Sequence, residues 1–378
     1  MVGLPSGMKL VYSIKGVAWM ILPLMFSACQ KEHVGYVPLE RDGWLTSSPA
    51  DQGLDSSLVQ EMYDNAVEID HLYSLLVVKN NHLVAERYFN GKDIHDAKPI
   101  ASVTKSYTSA LIGIAIEEGI LTSADQTMAE FFPEFNWQEM DPRKSQITLR
   151  QILQMRSGYP WEEFSEYKNQ LWSNFGDWLP LIEEFPLESD PGTQYGYSNL
   201  MSHILGIIIA RAANTSLLDF ARTYLCEPLG VRIPVWWADR EGYNYGHGDI
   251  HSTPRDLARF GQLYLDDGEY ENSPIIPAEW IAESLQPYSF DIYGREILEY
   301  IHHLNLGYMN WFSGMAGNHQ VVFSWWHGGQ LIFLLHDLDM VIVTTADYLP
   351  GEFGDDAWRK EKSVIDLVGE FISGLPME

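Results

Sequence analysis

Two short apolar runs, Leu72–Val78 and Leu83–Phe89, flank the polar stretch Lys79-Asn80-Asn81-His82. Asparagine accepts a left-handed backbone more readily than most residues, so the pattern predicts a β-hairpin. Ser102–Glu118 then carries a helical pattern that Gly119 would stop. Its centre, Ala110–Ile116, is apolar on every side, which predicts a buried helix. From there to about residue 290 the pattern stays helical, broken by Pro and Gly. Helices are expected over Leu149–Met155, Asn199–Ala213, Leu217–Leu225 and Pro254–Leu265. The chain then returns to strands. Val321–Trp326, Leu331–Leu335 and Met340–Thr345 fit three consecutive antiparallel strands, and Asp355–Ile372 fits an amphipathic helix. Strands near both ends with helices between predict a mixed α/β fold. In it an antiparallel sheet built from both chain ends is flanked by helices, and an all-helical lobe is inserted. The sheet lobe would comprise residues 55–98 and 300–378, and the helical lobe residues 102–299.

The first residues follow a different logic. Lys9 and Lys15 precede Gly16–Met25, an apolar run too short to span a bilayer, which ends in Phe26-Ser27-Ala28-Cys29. This is expected to be a secretory signal peptide over residues 1–28, followed by a tether over 29–54. It resembles a bacterial lipoprotein signal, in which Cys29 would carry the lipid. Ordinary cleavage near Ala28 without a lipid is the alternative. The expectation is an exported protein of the periplasm or cell envelope, touching the membrane only through an anchor on Cys29.

Composition narrows the classes. Of 378 residues, 46% are hydrophobic and 13% aromatic, which excludes a disordered chain. The net charge is −28, so nucleic acid is excluded as a partner. Two cysteines, Cys29 and Cys226, cannot build a disulfide framework. The twelve histidines show no ligand spacing, so no metal is expected.

Three motifs carry candidate chemistry. The first is Ser102-Val103-Thr104-Lys105. On a helix, positions i and i+3 share a face, so hydroxyl and amine can meet, and burial lowers an amine's pKa enough to make it a base. The same pattern also describes a helix-capping serine beside a surface lysine. Placement at the start of a buried helix weighs against that reading, because an unpaired lysine there is costly. The second motif is Tyr197-Ser198-Asn199, after a Pro-Gly loop. A tyrosine near a cationic lysine is expected to lose its proton more easily, and Asn199 offers both a donor and an acceptor. Packing and capping are the plainer roles for both. The third is Trp326-His327-Gly328-Gly329-Gln330 between two strand patterns. Gly328 and Gly329 would let a substrate lie close to a strand edge, or would simply form a hairpin turn.

In this order and context the motifs resemble the penicillin-recognising serine hydrolases. Within them they resemble the class C β-lactamase-like group of esterases, amidases and peptidases, and most of all the aminohexanoate-oligomer hydrolase branch. The resemblance extends over residues 55–375 and includes Ile147–Gly158, Glu227–Gly230 and Ser252–Gly261. It implies a covalent acyl-enzyme on an ester or amide, a β-lactam or D-amino-acid peptide included, with a small molecule or short peptide as partner and no cofactor. Ser102 would be the nucleophile, Lys105 its base, Tyr197 the proton carrier and Asn199 the third member of the second motif. His327 stands where the family has lysine. The backbone N–H groups of Ser102 and Gln330 would form the oxyanion hole. Alternatives left open are a cell-wall D-amino-acid peptidase or carboxypeptidase and a penicillin-binding-like sensor that acylates without turnover.

The histidine matters, because imidazole is mostly neutral at pH 7 and anchors a substrate carboxylate poorly. An ester or linear amide is therefore expected in preference to a β-lactam. Between the first two motifs, Trp161–Trp178 supplies Trp161 and Trp172 as a candidate aromatic wall for substrate, or as ordinary packing. Glu162, Glu163 and Glu166 are expected to form a solvated face. His247 could reach the cleft, but a lone histidine is more often structural.

Overall fold

The computed structural model describes residues 33–41, 43–173, 177–294, 296–348 and 354–377, of which 34 onward form one compact unit. The predicted signal peptide and Cys29 lie outside the described residues.

In chain order the first elements are α1 (Ser56–Ala66), β1 (Leu72–Lys79), β2 (His82–Tyr88), β3 (Lys98–Pro99) and α2 (Thr104–Glu117). The middle holds α3 (Leu149–Leu153), α4 (Lys168–Ser173), α5 (Leu181–Glu184), α6 (Asn199–Ala213), α7 (Leu217–Ala221) and α8 (Glu227–Leu229). Next come β4 (His251–Ser252), α9 (Pro254–Leu265), β5 (Glu269–Tyr270), β6 (Ser273–Pro274) and α10 (Ala278–Leu285). The chain closes with β7 (Ile301–Leu306), β8 (Trp311–Ala316), β9 (His319–Trp326), β10 (Gln330–Leu335), β11 (Met340–Ala346) and α11 (Asp355–Ser373).

The expected hairpin forms, with Asn80 at φ 48° and Asn81 at φ 59° as its turn. Both chain ends build one sheet in the order β2-β1-β11-β10-β9-β8-β7, antiparallel throughout. Its central strands are apolar on both faces because both are covered: α9 packs on β10, β11 and β1, while α1 and α11 pack together, with α11 over β8 and β9. The fold is the mixed α/β arrangement that the strand and helix order implied.

Two elements differ from expectation. The helix expected over Leu217–Leu225 is α7 followed by a π-turn over Arg222–Cys226. The helix expected from Ser102 begins as a 3-10 turn over Ala101–Val103 and becomes α-helical only at Thr104. The 3-10 turn packs against β9 and β10, and Ser106 Oγ donates to Ser324 Oγ of β9 at 2.9 Å. This contact holds the first motif beside the strands that carry the third.

Candidate active site

Ser102 sits on the 3-10 turn and keeps 6% of its surface exposed. The preceding Ala101 has φ 47°, a left-handed conformation that costs a non-glycine residue about 1 kcal/mol or more. One turn later, Lys105 is fully buried. Its Nζ lies 2.9 Å from Ser102 Oγ, 2.8 Å from Asn199 Oδ1 and 2.8 Å from the carbonyl oxygen of His247. The last two accept only, so they fix two of the amine's three directions on N–H groups. The third direction points at Ser102. It carries a proton when the amine is charged and a lone pair when it is neutral. Burial lowers the Lys105 pKa to about 7, against the opposing pull of Glu163, Glu162 and Asp249. A neutral amine aimed at the serine hydroxyl is therefore accessible near neutral pH.

Tyr197 packs its ring against the same amine, with Nζ 4.7 Å from the ring centroid. The phenol is buried beside the Ser102 hydroxyl. Burial pushes its pKa well above the ordinary 10, and Glu163 adds to the rise, although the nearby Ser102 hydroxyl opposes it. The expectation of an easily lost proton is thus corrected, because desolvation and the negative charge of Glu163 both hold the proton on the phenol. Tyr197 keeps its proton at rest. Trp326 stacks on its ring at 4.7 Å with an interplanar angle of 3°, and Trp161 lies 5.7 Å away. Trp161 also meets Tyr195 edge-on, so it walls the tyrosine loop. The Trp172 side chain lies outside the described residues.

Asn199 opens α6, and its position is set from an unexpected direction. Glu162 is buried, and its carboxylate accepts from Ser198 Oγ at 2.6 Å and from the backbone N–H groups of Asn199 at 3.0 Å and Leu200 at 3.3 Å. Ser198 Oγ in turn accepts from Met201 N–H at 3.1 Å. A distant carboxylate thus caps the helix jointly with the local serine. Glu163 Oε1 accepts from Asn199 Nδ2 at 3.0 Å. The expectation that Glu162 and Glu163 form a solvated face is corrected. Burial raises the pKa of both, that of Glu162 to about 7. His247 also gains a role that its side chain does not reveal, through its backbone carbonyl.

The third motif is the turn between β9 and β10. His327 Nδ1 lies 3.5 Å from Glu361 Oε2 of α11, which also accepts from the Gly328 N–H at 3.3 Å. Glu361 Oε1 accepts from Trp325 Nε1 at 2.5 Å. Gly328 and Gly329 are buried and have φ of 80° and 97°. The turn and its packing require glycine at both places, without appeal to a substrate. The Gln330 side chain bonds both ways to the Ala346 backbone, its Nε2 donating at 2.6 Å and its Oε1 accepting at 3.3 Å. Only the main chain of Gln330 is left to serve a site. The structure thus gathers Ser102, Lys105, Tyr197 and Asn199 at one point. His327 is tied to α11 beside them, and its electrostatic reach extends to Glu163. Among the described residues no cluster of metal-ligating side chains occurs.

The profile of the Beta-lactamase family matches residues 73–364. The chain belongs to this family of hydrolases. It is 28% identical to the 6-aminohexanoate-dimer hydrolase of Paenarthrobacter ureafaciens over 222 residues, 56% of each chain. It is 23% identical to Beta-lactamase-like protein 2 of Dictyostelium discoideum over 285 residues, 65% of this chain and 50% of that one. The chain spans about half the length of these curated relatives. A D-stereospecific amidohydrolase from Streptomyces sp. superposes with a TM-score of 0.58 at 17% identity, covering 77% of this chain and 93% of that one. At that identity the superposition speaks for the fold alone.

Proposed function

We propose that the protein is a serine hydrolase that forms a covalent acyl-enzyme on a neutral ester or linear amide and releases the acyl group to water. The observation that carries this reading is the buried Lys105 amine, held by two fixed acceptors with its third direction on Ser102 Oγ. The neutral amine takes the serine proton as Oγ attacks the substrate carbonyl. Tyr197, still protonated, donates to the leaving group and is reprotonated through Lys105. The reverse transfers activate water for deacylation. The N–H groups of Ser102 and Gln330 would stabilise the oxyanion.

The surroundings favour an uncharged substrate. His327 faces Glu361, and Glu163 lies beside Asn199. A substrate carboxylate entering here meets negative charge, which counts against a β-lactam or a peptide C-terminus. The test is a panel of p-nitrophenyl esters, linear amides, D-peptides and nitrocefin with the wild type and Ser102→Ala. The reading expects a fluorophosphonate adduct on Ser102 by intact mass and ester turnover lost in the variant. An unlabelled Ser102, or a variant as active as wild type, rejects it. Export with a lipid on Cys29 is proposed from the sequence alone, and loss of metabolic palmitate labelling in Cys29→Ser tests it.

A further inference from the structure

Glu163 belongs to none of the three motifs, yet it completes a chain of contacts that ends on the nucleophile. Glu163 Oε1 accepts from Asn199 Nδ2 at 3.0 Å, Asn199 Oδ1 accepts from Lys105 Nζ at 2.8 Å, and Lys105 Nζ meets Ser102 Oγ at 2.9 Å. A carboxylate only accepts, so it dictates which end of the Asn199 amide faces it. With Nδ2 held by Glu163, the oxygen must face the lysine. A flipped amide would point two donors at an ammonium and would break the lysine's fixed geometry.

We propose that Glu163 is a positioning residue of this centre: it locks the Asn199 amide and places a negative charge beside Lys105 that sets the pH at which the amine becomes a base. This rests on the acyl-enzyme reading above and goes beyond it. The groups facing the amine are Ser102 on its own turn, Tyr197 and Asn199 at the start of α6, Glu162 and Glu163 on the preceding loop, and His247 and Asp249 on the loop before β4. Of the charged ones, Glu163 contributes the largest upward pull on the lysine and Glu162 the next. Glu162 spends its oxygens on the helix N-terminus, whereas Glu163 reaches the lysine through one amide. Trp161 also hydrogen-bonds Glu163, and His327, Tyr195, Tyr197 and Tyr293 lie within electrostatic range of it.

The sign follows directly. A negative neighbour favours the ammonium, so its removal lets the amine lose its proton at lower pH. Glu163→Gln should therefore shift the Lys105 titration downward by about one pH unit, since opposite charges at this range move a pKa by one or more. The readout is the 13Cε resonance of Lys105 in lysine-labelled protein, assigned by its absence in Lys105→Met. It needs no substrate. In parallel, the acid limb of kcat/KM for a neutral p-nitrophenyl ester should move the same way, with kcat reduced and KM within about twofold. Glu163→Asp should restore part of the shift. A Lys105 titration unchanged in folded Glu163→Gln overturns the proposal even if the ester is still hydrolysed. A shifted titration in a protein that never acylates overturns the acyl-enzyme reading instead and leaves the electrostatic assignment standing.

Discussion

The carbonyl oxygen of His247 accepts a hydrogen bond from Lys105 Nζ at 2.8 Å, across 142 positions of sequence. The loop that presents it is held from several sides. The Gly246 N–H donates to His203 Nδ1 at 3.3 Å, so the proton on that ring sits on Nε2, which meets Asp239 Oδ2 at 3.1 Å. Thr108 Oγ1 donates to the Gly246 carbonyl at 2.7 Å, and Trp178 stacks on the His247 ring at 4.5 Å. The Lys105 amine thus depends on a loop that reaches it through a backbone carbonyl.

Gly246→Ala tests that dependence. An added Cβ would lie 2.6 Å from the Ser202 carbonyl and 3.1 Å from Gly206 Cα, both backbone atoms that cannot swing away. The expected outcome is a loss of about 1–3 kcal/mol in urea denaturation. A displaced His247 carbonyl should also lower kcat by roughly 10²-fold, as expected for an ångström-scale misplacement. Unchanged melting and unchanged kcat would show that the loop does not constrain the lysine.

The Lys105 pKa near 7 makes two linked pH predictions. In the proposed mechanism the neutral amine is the base, so kcat/KM should rise with pH through about 7. Stability should follow the same group. Above pH 7 the folded state has released this proton, while the unfolded chain keeps it up to about 10.5, so the unfolded state binds more protons. Folding stability therefore gains from this lysine as pH rises, by at most about 1.4 kcal/mol per unit. Cys226, raised to about 12 from 9.0, acts in the opposite sense above pH 9, which leaves 7 to 9 as the clear window. The comparison is urea denaturation of wild type and Lys105→Met at pH 7 and pH 9. An equal pH increment in both proteins would mean that Lys105 stays charged in the fold.

Much of this centre was legible in the chain because its signals are local. Ser102 and Lys105 are one turn apart, Asn80-Asn81 declares its own turn, and the apolar centre of α2, Ala110–Ile116, announces burial. What escaped was non-local. Glu162 and Glu163 read as solvated because they stand in an acidic, aromatic loop, and nothing in their spacing shows that they meet the N-terminus of α6, 36 residues away. The direction of the Tyr197 shift escaped for a related reason: sequence shows a nearby lysine but neither the depth of burial nor the Glu163 charge that raise it. The His247 contribution is a backbone carbonyl, which no residue type can advertise. The strands β7 and β8 also went unassigned, because His302, His303 and Asn305 break the apolar pattern of β7, and Ser313 and Gly314 break that of β8.

Glu162→Gln should separate capping from mere burial. The carboxylate faces one hydroxyl and two backbone N–H donors, and an amide would turn its own donors toward some of them. The expected loss is about 1–3 kcal/mol, the cost of buried groups left unsatisfied. Because Asn199 is the first residue of α6, kcat should fall with it. Urea denaturation and ester kinetics on the same preparation check both effects. A stability within about 0.5 kcal/mol of wild type would mean that the cap is dispensable.

The glycines of the third motif give a discriminating pair. An alanine at Gly328 would place Cβ 2.5 Å from the Asp347 carbonyl oxygen and 2.8 Å from Tyr348 Cα, so only backbone movement relieves it. At Gly329 the obstacle is the Val364 side chain at 2.8 Å. Both alanines also carry the strain of a left-handed backbone, about 1 kcal/mol or more. Gly328→Ala should therefore be the more damaging, displacing the turn that carries His327 and the Gln330 N–H. Gly329→Ala should recover part of its loss when combined with Val364→Ala, which removes the two methyl contacts at 2.8 and 3.0 Å and leaves only the Cβ contact at 2.8 Å, whereas Gly328→Ala should gain nothing from the same partner. Thermal melts and kcat/KM of the four variants decide it. Absence of rescue in both glycine variants would place their defect in backbone strain and not in the packing of the β9–β10 turn against α11.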